Sequence, residues 1–306
     1  MPTLHSQKAV YQVDIPTLYS NLQDFRILAS LCRQILATKA TEIVVRFDQC
    51  TFFKANAVAC ISAALAYARQ QGKVVTVDIS SMAPPVYRAC CNYKFVQHFG
   101  GPSGFGSQNT IELRQFRLAN EDLVDYLFTQ VPGHQFFPHL SPALRRALCK
   151  RFIEIYVNAF THSRSPVGAY SCGQGYPFGI FPFQLTVVDL GVGIPAKVRE
   201  FLGQPQMSGR QALHWALQEG HSTKFLPGVS GAYGLGLKLL SDLATLNRGR
   251  LEIYSHDSYA CIQQSGVLVD NFAEDFPGTV LNLELRQDDN FYYLTTEGVV
   301  SPKDSF

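Results

Sequence analysis

Apolar and polar positions along this chain fall into short blocks of alternating period, and the blocks predict an α/β protein. Residues 42–47 (EIVVRF) form a β-branched run ending at Asp48, residues 55–71 are small and apolar on one face at helical spacing, and residues 73–79 (KVVTVDI) read as a second buried strand. Strand, helix, strand with a helical crossover predicts a parallel pair in an α/β layer. Upstream, Leu22, Phe25, Leu28, Leu31 and Ile35 carry helical spacing through residues 18–37; downstream, residues 85–99 read as a helix opened by Pro85.

Residues 99–109 change character to a glycine-rich stretch with no helix or strand signal, which places a domain boundary there. The division reads as 1–105 for a small α/β domain, 106–290 for a second domain and 291–306 for a tail. The second domain opens on a helix: Ser141 is its N-cap, Pro142 its first residue, and Leu144, Leu148, Phe152, Ile155 and Ala159 its apolar stripe. On the opposite stripe Glu154, Asn158 and His162 are spaced four apart, which aligns a carboxylate, an amide and an imidazole on one face. Polar residues so aligned are most often a solvated face, and spacing alone leaves both readings open.

Glycine clusters supply the chemistry. Residues 184–188 (QLTVV) read as a strand that ends in Asp189, Gly191 and Gly193, where glycines allow close backbone approach and Asp189 places an acceptor at the turn. Residues 228–237 (GVSGAYGLGL) run into a helical pattern over 235–246, the arrangement that builds an anion site from backbone amides. Gly278 and Thr279 precede a strand over 280–285. The aromatic, proline-containing stretch 170–183 reads as an insertion between strands, either a partner surface or a cover for a sheet edge.

Composition narrows the classes. The 306 residues are 46% apolar and 16% charged with net charge +2, so no global field draws the chain to nucleic acid or an anionic membrane. The longest small-apolar run, 57–68 (AVACISAALAYA), is shorter than the roughly 18–20 residues of a membrane span, and the opening MPTLH lacks the form of a signal peptide, so a cytoplasmic location is expected. Eight cysteines without metal-ligand spacing read as reduced core residues. Residues 1–98 carry a net +5 and the remainder −3, which suggests two units docked by opposite charge.

Two common nucleotide motifs fit poorly. Gly231 and Gly236 have P-loop separation, but Leu237 stands where the phosphate lysine belongs; Gly191, Gly193 and Ala196 match dinucleotide spacing, but Pro195 sits badly in that motif and no acidic residue follows about 20 positions on. A third pattern uses every cluster. Glu154-x3-Asn158-Ala159-x2-His162-Ser163, then Asp189-x-Gly191-x-Gly193, then Gly234-Leu235-Gly236-Leu237, then Gly278-Thr279 resemble, in order, the four nucleotide boxes of the GHKL ATPases, the superfamily of gyrase, heat-shock chaperone, histidine kinase and MutL nucleotide domains. The resemblance covers roughly residues 120–286.

That resemblance implies an α/β sandwich, a mixed sheet covered on one face by helices, that binds ATP and Mg²⁺. In it Asn158 coordinates the metal, Glu154 activates a water or a protein hydroxyl, Asp189 accepts the adenine amino hydrogen beside Gly191 and Gly193, Gly234, Leu235 and Gly236 wrap the phosphates, and Thr279 supports the adenine contact. His162 is either phosphate support or helix-end structure. Residues 196–230 have the length of a mobile nucleotide lid, in which Lys224 either reaches the γ-phosphate or is a solvated loop lysine. Residues 42–99 more faintly resemble a STAS-like module, with Lys54 and Ala55 where the phosphorylatable pair of anti-anti-sigma factors stands, so an interaction or dimerisation platform is expected rather than a phospho-switch. The implied function is an Mg-ATP-binding regulator with a protein partner and a possible homodimer, turning ATP over slowly; a protein kinase acting on another chain and a non-catalytic ATP sensor remain as alternatives. Nucleic-acid handling is disfavoured, because only a short stretch follows residue 285.

Overall fold

A computed structural model describes residues 9–104, 106–218, 221, 235–295 and 298–301. The N-terminal unit is β1 (Val10–Asp14), α1 (Leu22–Ala37), β2 (Glu42–Arg46), α2 (Ala55–Gln70), β3 (Val74–Val77), α3 (Pro84–Asn92) and the single turn α4 (Phe95–His98). Its three strands lie in the order β1-β2-β3, both pairs parallel; the crossover predicted the β2–β3 pair, and β1 is a strand that the sequence pattern did not predict. Asn21 opens α1 with a capping box shared with Asp24. The predicted helix over 85–99 is broken after Asn92, where Lys94 takes a left-handed conformation between α3 and α4.

The second unit comprises β4 (Thr110–Phe116), α5 (Glu121–Gln130), β5 (His139–Leu140), α6 (Pro142–Val157), β6 (Ala169–Gly175), β7 (Phe183–Asp189), α7 (Gly193–Leu202), α8 (Gly209–Leu217), α9 (Leu235–Leu246), β8 (Arg250–Gln263), β9 (Gly266–Leu285), β10 (Phe291–Leu294) and β11 (Val299–Val300). Five strands form one sheet in the order β4-β6-β7-β9-β8, and every pairing in it is antiparallel rather than mixed. The stretch from Phe291, read as a tail, contributes β10, which pairs in parallel with β5 and buries Tyr292 completely.

Both faces of the five-stranded sheet are buried, which corrects the expectation of one covered face. Along β7 and β9, Phe183, Leu185, Val187, Leu281, Leu283 and Leu285 pack with Leu144, Leu148 and Phe152 of α6. The alternate positions Val188 and Val280, with Tyr170, Cys172 and Tyr254, join the core of the N-terminal unit. That opposite face is covered by α1 and α2, so α2 lies between two sheets. This is why its run of Ala, Val, Cys, Ile and Ser is buried on every side and not on one stripe. Small side chains let both sheets approach the helix closely.

The core is therefore continuous across the glycine-rich stretch. Among the described residues, three ion pairs join the basic N-terminal unit to the acidic remainder: Arg33–Glu274 at 3.1 Å, Lys54–Glu284 at 3.7 Å and Lys94–Glu112 at 3.8 Å. The first is exposed at both ends and contributes at most about 1 kcal/mol, and the shared apolar core adds burial to these charge contacts. All eight cysteines are buried free thiols, as their apolar setting predicted. No helix among the described residues is long and apolar enough to cross a membrane.

Candidate functional site

β7 ends at Asp189 in register with Thr279 of β9. Strand alternation turns both residues, with Ser255 of β8, away from the N-terminal unit and towards the face that carries α6 and α7. Asp189 is buried, and its Oδ1 accepts the Gly191 N–H at 2.8 Å. Burial pushes its carboxyl up from the usual carboxylate range to about 7, against the opposing pull of the Gly191 amide and the Ser163 hydroxyl. Leaving water costs the ionised carboxylate more than these two donors restore. The group is therefore poised to gain from a further donor.

The turn after Asp189 is held from three sides. Ser255 Oγ accepts the Ile194 N–H at 2.9 Å and lies 3.0 Å from Thr279 Oγ1, so a hydroxyl from β8 caps the start of α7, whose own N-cap residue Val192 supplies no side-chain bond. His256 spans Asp275 Oδ1 at 3.1 Å and the Gly191 carbonyl at 3.4 Å. Ser163 O accepts the Val192 N–H at 2.7 Å, and Ser165 Oγ accepts the Leu190 N–H at 3.2 Å. Glycine is required on steric grounds at two points: a Cβ on Gly191 would stand 2.1 Å from the Ser163 carbonyl, and one on Gly278, at φ +148°, would stand 2.1 Å from the Asp189 carbonyl.

The Ser163 and Ser165 contacts bring the end of α6 to this turn. Ser141 caps α6 through the Leu144 N–H, with Pro142 in its first turn, as the sequence pattern predicted. After Val157 the chain widens into a π-helical turn, Asn158–His162, closed by the Ser163 N–H to the Asn158 carbonyl at 2.8 Å. The widening carries residue 162 out of α-helical register with Glu154 and Asn158, so the predicted single stripe of three holds only for the first two. Asn158 is exposed. Glu154 is partly exposed, and its Oε1 is engaged by Arg151 Nη1 at 2.6 Å.

Of the residues singled out from sequence, Asp189, Gly191, Gly193 and Thr279 come together at one turn, and Glu154 and Asn158 follow one another on the helix whose end packs against that turn. Leu235 and Gly236 are the first two described residues of α9, within the helix predicted over 235–246. Lys224 and Gly234 lie outside the described residues, as does the His162 side chain. The expected lid is in part a packed structure: α7 and the capped helix α8 occupy most of 196–217, and Leu213 and Leu217 pack against Ile253, Ala260 and Val269 of the β8–β9 hairpin.

Sequence reasoning missed Ser255, His256 and Asp275. Their segment reads as polar interruptions of a strand, and only the pairing of β8 with β9 brings them to Gly191 and Gly193. Bulges on both sides of His256, which itself has φ 50°, turn its ring towards the Asp189 turn. The dinucleotide motif is excluded by topology, because β7 is antiparallel to both neighbours and begins no parallel βαβ unit.

No protein-family model matches this chain, and no curated protein matches it.

Proposed function

We propose that this chain is an Mg-ATP-binding regulatory protein with a GHKL-type nucleotide domain preceded by a STAS-like module. The observation that carries the reading is the buried Asp189 carboxylate at a strand end, with Gly191, Gly193, Gly278 and Thr279 closing around it. In its ionised form Asp189 is an acceptor-only group, which fits an exocyclic amine such as that of adenine and would discriminate against a base presenting a carbonyl there. Gly191, Gly193 and Gly278 let Ser163, His256 and the Asp189 carbonyl pack closely at this turn.

The metal would be shared with the nucleotide. Among the described residues no three His, Cys, Asp or Glu side chains stand together, so Mg²⁺ would be held chiefly by phosphate oxygens and waters with the Asn158 amide oxygen as the protein ligand. Leu235 and Gly236 at the start of α9 would present backbone amides to the phosphates. Glu154 would take a proton from a water or a protein hydroxyl, which requires it to leave Arg151. ATP binding would then alter the surface offered to a protein partner or a second copy of the chain.

The Arg151–Glu154 contact favours one alternative, a sensor that binds ATP without turning it over, because the proton acceptor is committed elsewhere. Incubation of the purified protein with γ-labelled ATP, alone and with cell extract, separates the readings: free phosphate marks the ATPase, labelled protein the kinase, and bound but unreacted ATP the sensor. Absence of ATP binding by calorimetry in excess Mg²⁺ would overturn the proposal. Hydrolysis through Glu154 is excluded if Glu154→Ala binds ATP and releases phosphate at the unaltered rate.

A further inference from the structure

The face of the sheet opposite Asp189, at the other end of β7 and β9, holds a second feature. A cavity of about 610 Å³ opens between the N-terminal unit and the β6–β7 loop, within the roughly 300–1,000 Å³ of small-molecule sites. Tyr19, Phe52, Tyr176 and Phe181 supply aromatic walls, with Tyr19 and Phe52 stacked at 5.3 Å. Phe178 and Ile180 stand at the lip fully or largely exposed.

Its charged groups are unequally satisfied. Glu284 is buried and saturated: Oε1 accepts from Ser20 Oγ at 2.9 Å and Gln184 Nε2 at 3.1 Å, and Oε2 from Arg250 Nη2 at 2.6 Å. Arg250 also stands 3.5 Å from Glu252, which accepts from Tyr254, Tyr259 and Asn282. Lys54 is left over. Its ammonium is mostly withdrawn from water, approaches Glu284 only to 3.7 Å, and rests 4.8 Å from the Tyr176 ring centroid. Burial pushes it below the ordinary lysine range, with Glu284 opposing. It precedes α2, a helix with no side-chain N-cap, whose dipole adds to the local positive field.

We propose that this cavity binds an aromatic carboxylate, its ring between the aromatic walls and its carboxylate on Lys54. A carboxylate would give Lys54 the short charge-assisted hydrogen bond that Glu284 does not. Cationic ligands are disfavoured by like charge: Lys54 and Arg250 line the cavity, Lys54 lies over Tyr176, and Arg250 and Arg286 lie 5.5 and 5.7 Å from the Phe181 ring. The site is independent of the nucleotide reading, since it uses other residues on the opposite face.

Calorimetry with three probes of one shape tests this on the full chain: 2-naphthoate, 2-naphthamide and 2-naphthylmethylamine. The acid binds about tenfold or more tighter than the amide, and the amine weakest. Lys54→Gln abolishes the preference for acid over amide, Phe52→Ala weakens both alike, and Asp189→Asn changes neither. The proposal is overturned if no probe binds, if the acid binds no better than the amide, or if the acid preference survives in Lys54→Gln. The probe series on the unmodified chain remains decisive if Lys54→Gln does not fold.

Discussion

Asp189 and Thr279 face each other as the terminal ladder pair of β7 and β9, with Gly278 pressed against the Asp189 carbonyl. The pair joins a buried acceptor to a hydroxyl at one end of two adjacent inner strands of the five-stranded sheet, and the consequences of that placement can be measured.

The Asp189 carboxyl makes stability and nucleotide binding depend on pH in the same window. Its folded value of about 7 lies above the ordinary value of 3.8, so the protonated form favours folding. That contribution is fully present below about pH 4 and is lost as pH rises towards 7, by about 1.4 kcal/mol for each pH step between the two values. Urea unfolding between pH 4 and 7 should show a decline that Asp189→Asn flattens. Adenine binding needs the ionised acceptor, so ATP affinity should fall about tenfold per pH step as pH drops well below 7. Calorimetry in buffers of different ionisation enthalpy should detect proton release on binding near pH 6.

Gly278→Ala should destabilise the fold by more than about 2 kcal/mol, because the new methyl has backbone and no flexible side chain in its way and the φ of +148° disfavours any L side chain. Gly266→Ala, at φ +121° in open space, isolates the backbone contribution. Thermal midpoints for the two variants should differ, with Gly278→Ala the lower.

Asn158→Ala should weaken ATP binding about tenfold or more in Mg²⁺ and leave binding in EDTA unchanged, since an exposed amide at the end of α6 has no core to disturb. Equal weakening in both buffers would assign Asn158 to something other than metal coordination. Far-ultraviolet circular dichroism should be unaltered.

Glu284→Ala should cost about 1–3 kcal/mol, because it leaves Arg250 with Glu252 as its remaining carboxylate and takes from Ser20 and Gln184 their shared acceptor. Glu284→Gln, which retains an acceptor, should cost less. Ser20 belongs to the N-terminal unit and Glu284 to the sheet, so chemical denaturation of Glu284→Ala should also show whether the two units still unfold in one transition.

Local periodicity was enough for the N-terminal strand–helix–strand unit, because β2, α2 and β3 are consecutive and their crossover allows one handedness. It was also enough for the Ser141 cap and for the helix over 235–246, which depend on neighbours a few residues away. Where it erred, a distant element had intervened. Only the 280–285 end of the long β8–β9 hairpin was read as strand, because polar positions such as Glu252, Ser255, Ser258 and Asn282 are buried against partners far along the chain, and burial of that kind leaves no alternation to read. Part of the proposed lid proved to be α7 and α8 because the apolar residues of α8 find Ile253 and Val269 on that same hairpin.

What the amino-acid order alone determined is local: element type over the periodic segments, the glycines where no Cβ fits, the burial of eight thiols and the candidacy of Asp189. Tertiary structure alone decided which groups meet. Whether α2 was a one-sided helix or the filling between two sheets depended on the five-stranded sheet turning its second face to it. The acceptor at Asp189 became a site only when Thr279 and Ser255 arrived from β9 and β8, and Lys54 became an under-satisfied cation only when Glu284 was claimed by Arg250, Ser20 and Gln184. Hydrogen-bond saturation and desolvation are properties of three-dimensional neighbours, and a linear pattern does not encode them.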